Sequence, residues 1–470
     1  MNGNLAADLR TLSEWARDQR RDLVHARPVI IVAPVLAATT RLLPGLQDDG
    51  AGPILVVTWG DGTGELPAEG SVTVVRAGSL EARDVVDELQ AWSALLTEPP
   101  ARVRTAVEAH DPERSAIVLL SVPAPAASFC GRPTVGNRSA EQEKLEDKTL
   151  SRQIWSGAGI AHAPEEVVDV DRKALCDSAA RLDHGAGTVW SADASRGVNG
   201  GAARVRWVRD VTDAAQVDAA MVVLDGSDRA RVMPFLEGVT CSIHGIVTDD
   251  GVIVLRPVEL VMLRPVGSGT FRQAGISSWW DPSVAERNEM RAAARHVGDY
   301  LSREHGYRGA FGIDGILTAD GFRPHELNPR FSGGLSTLGR GMPEVPLVDL
   351  DRQARLGGGL PLPVQRVEAA LVAAADEARL GSAYLATSTI RPTETQTVCV
   401  TGSADELTLQ QDGETSVGVL ELGPASQGAL VRFTPLALAP GERLAPWALA
   451  AYRLADRLWD TGFGAMHAPA

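Results

Sequence analysis

Residues 309–331, GAFGIDGILTADGFRPHELNPRF, have the pattern of a β-hairpin, because two strand-like runs flank a short turn containing Asp and Gly. The second strand carries Glu326 and Asn328, which share a face since alternate residues of a strand point the same way. The first strand carries Asp314, and the small residues of PRFSGG follow at 329–334. Polar groups are therefore concentrated on one hairpin.

The turn decides whether Asp314 faces the same way, because a one-residue shift moves every side chain of a strand to the opposite face. A two-residue turn at 320–321 would pair Asp314 with Leu327. A three-residue turn at 319–321, with its glycine in the left-handed conformation, pairs Asp314 with Glu326 instead. We predict the three-residue turn.

Two carboxylates and an amide oxygen on one face form an all-oxygen site. Such a site suits a hard cation such as Mg²⁺, which keeps several waters and binds together with substrate phosphates. We therefore predict Asp314, Glu326 and Asn328 as metal ligands and a nucleoside triphosphate as their partner. The alternative is a solvated sheet face, the usual fate of an isolated Asp or Glu. The long ordered run around these residues favours the metal site.

Hydrophobic patterning divides the 470 residues into three parts. Four short, continuously apolar stretches indicate a parallel sheet covered on both faces, in an N-terminal α/β domain at 1–136. A central α+β module is predicted at 137–357. After the Gly- and Pro-rich segment at 355–363, a small α+β domain at 364–470 is predicted to end in a helix from Pro446 to Trp459.

Charge and hydropathy exclude several classes of partner. The chain has 45 Lys plus Arg against 60 Asp plus Glu, a formal charge of −15, and this field repels nucleic acid and anionic lipid. No apolar run approaches the roughly 20 residues of a membrane span, and the N-terminus lacks a signal-peptide layout. The four cysteines show no disulfide or zinc spacing. We expect a cytoplasmic protein that binds neither nucleic acid nor membrane.

The hairpin and the run HELNPRFSGG resemble the ATP-grasp superfamily, whose C-terminal hairpin has an Asp strand followed by E-x-N-P-R and small residues. The resemblance covers roughly residues 135–357 and implies an ATP-grasp module with a mobile lid at about 165–232. It implies ATP and Mg²⁺ as cofactors, with the metal on the three ligands above. Arg330 and Asn328 would be catalytic, Arg330 by stabilising the charge on the transferred phosphoryl group.

The predicted helix at 139–157 contains Glu-Asp-Lys and is followed by GIAHAP at 159–164, which resembles the start of the ATP module in this superfamily. Lys148 would then reach the ATP phosphates. The chain has only three lysines, so a lysine at this motif position is informative. The alternative is a surface lysine paired along the helix, which is the role we assign to Lys144.

The segment VWSADASRGVNGGAARV at 189–205 resembles the lid that closes over the phosphates. Gly197 and Gly200 would let backbone N–H groups approach the phosphates closely. The superfamily usually has a second lysine on the strand before this loop, where this chain has Trp190 or Ser191. Arg196 is our candidate substitute.

The segment MPFLEG at 233–238 resembles the adenine hinge of the superfamily. By this resemblance Met233, Phe235 and Leu236 would hold adenine, Leu236 through its backbone, and Glu237 would bind the ribose hydroxyls.

The predicted substrate-binding residues are Arg256, Arg264, Ser332 and Gly333. Each of the two arginines either binds a substrate carboxylate or pairs with Glu259 or solvent, and the sequence leaves both open. His244, His296, His305 and His325 are interpreted as structural or exposed.

The resemblance implies ATP-dependent carboxylate–amine ligation through an acyl phosphate. The sequence around MPFLEG, GAFGIDG and HELNPRFSGG is most similar to that of pheganomycin-type peptide ligases. This resemblance implies a small amino acid derivative as the acid and a peptide as the amine. It also implies a role in antibiotic biosynthesis. A phosphotransferase and an ATP-binding sensor without turnover remain as alternatives. A homodimer is left open.

Overall fold

The computed structural model describes residues 3–195, 197, 200 and 202–469. Its N-terminal part is an α/β unit with the elements α1 (Gly3–Val24), β1 (Val29–Val32), α2 (Leu43–Asp48), β2 (Ile54–Thr58), β3 (Thr73–Arg76), α3 (Val85–Thr97), α4 (Ala101–His110), β4 (Ile117–Leu120), β5 (Ser128–Phe129) and β6 (Arg132–Pro133). The strand order is β3-β2-β1-β4 and all pairings are parallel. The apolar runs VIIV and ILVVT are buried throughout, which confirms the predicted parallel sheet.

Helix α1 was not predicted from the sequence, and its apolar residues pack outside the core of the N-terminal sheet. Its Leu9 and Leu12 are buried in a core shared with helices from the second half of the chain. Arg20 of α1 bonds both Asp49 and Asp349, the latter at 2.7 Å. The first helix therefore ties the N-terminal unit to the remainder of the molecule.

A second unit corresponds to the expected lid. It follows three short helical segments, α5 (Ala140–Lys144), a 3₁₀ turn (Lys148–Leu150) and α6 (Ser151–Gly157), and consists of β7 (Glu166–Asp169), α7 (Arg172–Leu182), β8 (Thr188–Ala192), β9 (Val205–Val208), α8 (Ala214–Leu224) and β10 (Arg229–Pro234). The sheet is antiparallel in the order β7-β10-β8-β9. Both helices pack on one face around the buried Trp190, so Ser191, Arg231 and Met233 point to the other face.

The central sheet provides the floor of the molecule. Its strands are β11 (Val239–Thr248), β12 (Gly251–Val254), β13 (Val258–Pro265), β14 (Arg272–Ser277), β15 (Gly309–Thr318) and β16 (Gly321–Asn328), with α9 (Val284–His305), α10 (Gly333–Gly341) and α11 (Leu347–Leu356) between and after them. The order β16-β15-β11-β13-β14 places distant segments side by side. One face buries Ile243, Phe311 and Ile313 against α9, and the opposite face carries the polar residues of the hairpin.

The C-terminal residues continue this sheet. Helix α12 (Val364–Glu377) directly follows the Gly- and Pro-rich segment and packs on α1, and β17 (Gly381–Thr387) then pairs with β14. The remaining elements are β18 (Gln396–Gly402), β19 (Leu407–Leu409), β20 (Gly418–Ala425), β21 (Gly428–Pro435), α13 (Leu444–Trp459) and β22 (Met466–His467). The C-terminal strands and the central strands therefore form one continuous sheet. None of the helices described is long and apolar enough to cross a membrane.

The hairpin register agrees with the prediction, but its cause differs. Asp314 pairs with Glu326, as expected, yet Thr318 pairs with Gly321, so the turn has two residues, Ala319 and Asp320, and the predicted three-residue turn is wrong. This turn alone would pair Asp314 with His325. A β-bulge between Asp314 and Gly315 adds the missing residue on the opposite strand, and a bulge of one residue restores the face that the two acids share.

Candidate functional site

The three predicted metal ligands lie together on the open face of the central sheet. Asn328 Nδ2 donates to Asp314 Oδ2 at 3.0 Å, and Glu326 lies directly across the hairpin from Asp314. Arg330 follows within two residues, and its Nη2 donates to Asn328 Oδ1 at 3.0 Å. The arrangement brings two carboxylates, one amide and one guanidinium to one place.

Burial and mutual repulsion disfavour the ionised forms of the two neighbouring carboxylates. Burial, together with the neighbouring Glu326 charge, raises the pKa of Asp314 to about 6. Burial also disfavours ionised Glu326, but the Lys148 ammonium, whose Nζ lies 2.5 Å from Glu326 Oε1, outweighs it and lowers the pKa of Glu326. Two adjacent oxygen ligands that repel each other are stabilised by a divalent cation. The donor set therefore fits Mg²⁺ with additional oxygens from water or phosphate.

Lys148 reaches the site because the predicted continuous helix at 139–157 is interrupted. Ser139 caps the helix and forms a capping box with Gln142, but α5 ends at Lys144. Asp147 then caps a new 3₁₀ turn by accepting from Thr149 N at 2.9 Å. The interruption turns Lys148 inward, where its side chain is 8% exposed, while Lys144 stays on the surface and pairs with Glu141.

Arg330 is held by a carboxylate outside the metal group. Its Nε donates to Glu146 Oε1 at 2.5 Å, and Glu146 also pairs with the buried Arg138. Glu146 lies two residues before Lys148, so one short segment positions both Lys148 and Arg330.

Arg231 is a cationic residue of the cleft that sequence reasoning missed. It stands on β10, is 2% exposed, and pairs directly across the sheet with Ser191. Its Nη1 donates to His325 O at 2.5 Å and to Ser151 Oγ at 3.1 Å, whereas its Nε has no partner among the described residues. By the superfamily resemblance a second lysine is expected at Trp190 or Ser191, and of these two Ser191 faces the cleft. Only the pairing of β8 with β10 reveals that a neighbouring strand supplies a cation there.

A cleft lies between the lid sheet and the central sheet, with about 1240 Å³ of empty space when the part open to solvent is included. Its polar end contains the acids, Lys148, Arg231 and Arg330. Its other end is apolar, with Val189, Met233, Phe235, Leu236, Ile316, Met262 and Phe271 along the walls. A site with one charged and one apolar end matches a nucleotide, whose phosphates and base need these two environments.

The hinge residues divide between the cleft and its rim. Met233, Phe235 and Leu236 line the cleft. Glu237 is exposed and pairs with Arg264, whose Nη1 lies 3.0 Å from Glu237 Oε1. The Arg264 guanidinium also lies 5.3 Å from the ring centre of Phe235, which stacks on Trp207 with 4.0 Å between ring centres. Arg264 therefore joins a stack at the rim, and it does not line the cleft.

Arg256 does not face the cleft. It lies between β12 and β13, is fully buried, and its guanidinium bonds Asp281 at 2.6 Å and Asp376 at 2.9 Å. Asp281, in the loop after β14, and Asp376, on α12, neutralise it there, and Arg256 is not among the residues that line the cleft. Its substrate-binding role is thus wrong, and neither it nor Arg264 pairs with Glu259, which instead accepts from Arg443 and the first N–H groups of α13.

The predicted glycine loop is only partly described. Gly200 lines the cleft, and Gly197 borders a smaller pocket beside Asp147 and Lys148. Arg196, the candidate substitute for the second lysine, lies outside the described residues.

The amino end of α10 closes the cleft opposite the lid. Ser332 and Gly333, for which we predict a role in substrate binding, line the cleft, and Ser332 Oγ has no partner among the described residues. Beneath them His244 is 2% exposed, bonds Ser242 Oγ at 3.1 Å and leaves Nδ1 without a described partner. Burial lowers the pKa of His244 to about 3, so the ring is neutral. His244 and His325 both line the cleft, a position that the sequence had not indicated.

Comparison with solved structures identifies the fold. No family model matches the sequence, and no curated protein matches it. The chain is similar to a biotin carboxylase from Campylobacter jejuni in complex with β-γ-ATP (TM-score 0.54, 13% identity, 94% of this chain and 92% of that one). It is also similar to a carboxyaminoimidazole ribonucleotide synthase from Aspergillus clavatus complexed with ATP (0.51, 12%, 92% and 99%) and to an N5-carboxyaminoimidazole ribonucleotide synthetase in its ADP complex (0.50, 13%, 92% and 98%). At these identities the likeness shows the fold alone, and it confirms the predicted ATP-grasp fold class.

The adjacent glycines Gly333 and Gly334 should differ in how well they tolerate substitution by alanine. A Cβ at Gly334 would overlap the buried ring of His244, whereas a Cβ at Gly333 would meet only the mobile end of Ile276. We expect Gly334→Ala to lower the free energy of unfolding by about 1–3 kcal/mol through overpacking and Gly333→Ala to change it little. Denaturant unfolding of both variants measures this. Adding His244→Ala to Gly334→Ala should recover stability, and equal effects of the two glycine substitutions would contradict the packing described.

Proposed function

We propose that the protein is an ATP-dependent ligase that joins a carboxylate to an amine. The observation that carries this proposal is the convergence of Asp314, Glu326 and Asn328 with Lys148 and Arg330 at the polar end of a cleft with an apolar far end. These groups bind phosphates and a hard cation, and none of them is a nucleophile. The site therefore works by positioning and charge stabilisation.

The residues at the polar end of the cleft have separate roles in this proposal. Mg²⁺ bound by Asp314, Glu326 and Asn328 would neutralise charge on the phosphates of ATP. Lys148 and Arg231 both line the polar end of the cleft and would contact these phosphates. Lys148 would exchange its contact with Glu326 for one with phosphate oxygen, and Arg231 would keep Glu165 at 3.7 Å as its counterion. The adenine ring occupies the apolar end between Met233, Leu236 and the central sheet.

Arg330 lies where the transferred phosphoryl group passes from ATP to the acid. An oxygen of the substrate carboxylate attacks the γ-phosphorus, the bond to ADP breaks, and an acyl phosphate forms. The amine then attacks the acyl carbon, phosphate leaves, and the amine loses a proton. Arg330 is anchored by Glu146 at 2.5 Å, so its guanidinium is preorganised for the charge that develops on the phosphoryl oxygens.

The more specific function is the addition of an amino acid derivative to the N-terminus of a peptide in natural-product biosynthesis. The similarity of the motifs MPFLEG, GAFGIDG and HELNPRFSGG to those of pheganomycin-type peptide ligases supports it. The unpartnered Ser332 hydroxyl and the amino end of α10 supply donors for a carboxylate on the substrate side of the cleft.

The products of ATP turnover test this function. The protein is incubated with Mg·ATP, pooled amino acids and short peptides, and the same samples are analysed for ADP, phosphate and new masses. We expect ADP and phosphate together with a product lighter by one water than its two parts. ADP with a phosphorylated product would make the protein a phosphotransferase, and nucleotide binding without any product across broad substrate pools would favour a sensor.

Removal of a metal ligand should abolish turnover without unfolding the protein. Glu326→Gln replaces an anionic carboxylate ligand by a neutral amide, and Asn328→Ala removes an amide oxygen. We expect turnover to fall by about 10²–10³ or more in each variant, as for loss of a transition-state charge partner. Initial rates of ADP release measure the effect, and thermal unfolding confirms the fold. Lys144→Gln, a surface lysine four residues before Lys148, is the control. Full activity of either ligand variant would exclude the metal site.

Arg231 should contribute to ATP affinity through its charge. Loss of one charge-assisted contact costs about 1.5–3 kcal/mol, roughly a ten- to hundred-fold rise in the Kd for ATP. We expect this rise in Arg231→Gln, a smaller one in Arg231→Lys, and none in Arg229→Gln, which lies at the exposed start of the same strand.

Calorimetric titration with ATP and with adenosine separates this effect from folding, because adenosine lacks the phosphates and its affinity should not change. Equal ATP affinity in wild type and both Arg231 variants would exclude the role.

A further inference from the structure

Two polar residues of β11, Ser242 and His244, are buried in the floor of the cleft. Ser242 is fully buried and His244 is 2% exposed. They are two residues apart on one strand, so their side chains point to the same side of the sheet, and His244 lines the cleft. A buried hydroxyl or imidazole costs free energy unless it is hydrogen-bonded. The partners of these two groups therefore show what they hold in place.

Ser242 lies directly across the sheet from the predicted metal ligand Asp314. Residues opposite each other in an antiparallel pair have Cβ atoms roughly 4.5–5.5 Å apart on one face, so the Ser242 hydroxyl can reach the Asp314 carboxylate. Burial is the main cause that raises the pKa of Asp314. A hydrogen bond from the Ser242 hydroxyl acts against this rise, because it favours the ionised carboxylate.

The same hydroxyl fixes the tautomer of His244. Ser242 Oγ lies 3.2 Å from Ile313 O, which can only accept, as can the ionised Asp314 carboxylate. A hydroxyl has one proton, so Ser242 accepts from His244 whichever of these two groups receives that proton. His244 Nε2, 3.1 Å from Ser242 Oγ, therefore carries the proton of the neutral ring. The result is a chain in which His244 donates to Ser242 and Ser242 can donate to Asp314.

Two glycines hold the imidazole ring in this orientation. Gly312 is the partner of His244 across β11 and β15, and a Cβ there would lie 2.9 Å from Cδ2 and 3.1 Å from Nε2. Gly334, at the start of α10, is so close that a Cβ there would overlap the ring. The ring is therefore packed against two backbone segments, which restrict its rotation away from Ser242.

Asp314 needs support from a group that is not itself a metal ligand. Asn328 Nδ2 donates to Asp314 Oδ2 at 3.0 Å, but Asn328 belongs to the predicted ligand set and its oxygen would face the cation. Ser242 is neutral and buried and lies outside that set, so it can hold the carboxylate whether or not the cation is bound. Loss of a group that orients a metal ligand in this way typically lowers metal affinity by about 10- to 100-fold.

We propose that His244 is a positioning residue that acts through Ser242 to orient the Asp314 carboxylate toward the divalent cation. This inference rests on the proposed function, since it requires that Asp314, Glu326 and Asn328 bind a metal. His244 itself would touch neither the cation nor the phosphates. The donor at Nε2 carries the role, and a ring of the same size without a donor would not replace it.

Substitutions that separate the donor from the ring test this role. His244→Gln keeps an N–H donor about as far from Cα as Nε2, whereas the amide of His244→Asn ends near the position of Nδ1. His244→Phe keeps a ring of similar size without any donor, and Ser242→Ala removes the link to Asp314. His296→Gln, at an exposed position of α9, is the matched control.

The measured quantity is the affinity for Mn²⁺, used as a probe for the divalent cation. Each full-length variant is titrated with Mn²⁺ in saturating ADP at about pH 8, where Asp314, with a pKa of about 6, is ionised. Free Mn²⁺ is quantified by electron paramagnetic resonance. We expect the Kd for Mn²⁺ to rise by about 10- to 100-fold in His244→Phe, His244→Asn and Ser242→Ala, and by less than about three-fold in His244→Gln. His296→Gln should leave it unchanged.

Two further measurements exclude indirect effects. The double variant Ser242→Ala/His244→Phe should bind Mn²⁺ no more weakly than Ser242→Ala, because His244 acts only through Ser242. Adenosine affinity depends on the apolar end of the cleft, so it should be the same in all variants and shows that they are folded.

A purely structural histidine would give the opposite order. His244→Phe, which keeps the ring, would then bind Mn²⁺ as tightly as wild type, and His244→Gln would bind it more weakly. That order, or equal affinities in all variants, overturns the positioning role and leaves the ligase proposal intact. If His244→Phe does not fold, equal Mn²⁺ affinities of the Gln and Asn variants overturn the role in the same way. Wild type that binds no Mn²⁺ with ADP counts instead against the metal site and the ligase proposal.

Discussion

The contact between β15 and β16 that places Asp314 opposite Glu326 determines the chemistry of the cleft. A hairpin with the observed two-residue turn and no bulge would pair Asp314 with His325 and turn Glu326 away. The bulge inserts His325 into β16 and thereby brings Glu326 opposite Asp314. The same bulge turns the His325 carbonyl toward Arg231 of the lid, so the register of the central sheet also fixes a contact with the opposite wall. Floor and lid are coupled through a single irregular position.

The sequence was sufficient for the fold class and for the acids, because their signals are local. Strand periodicity placed Glu326 and Asn328 on one face, and a specific motif indicated the superfamily fold. It was insufficient where partners are distant in the chain. The cation opposite Ser191 comes from β10, 40 residues later, and Arg256 looked like a cleft residue until Asp281 and Asp376 were seen around it. Ion pairs between residues that are distant in the chain leave no characteristic spacing in the sequence.

The turn illustrates a third limit. Both the expected and the observed hairpins satisfy the requirement that the two acids share a face, and the residues ADG fit either turn. Packing of one sheet face fixes which residues of β15 and β16 pair. Whether the extra residue lies in the turn or in a bulge of β16 depends on small local differences in energy. The broken helix before Lys148 is similar, since Asp147 caps a new turn that a continuous amphipathic pattern conceals.

The packing of α1 on α12 has a consequence for how the chain is made. The first helix ends at Val24 and its partner begins at Val364, 340 positions later. At a synthesis rate of 5–20 residues per second, the second helix emerges roughly 17–70 s after the first. Leu9 and Leu12, which are buried in the finished protein, are therefore exposed throughout that interval. Helix α1 can complete its packing only after α12 has been made, so its apolar stripe is accessible to a chaperone until then.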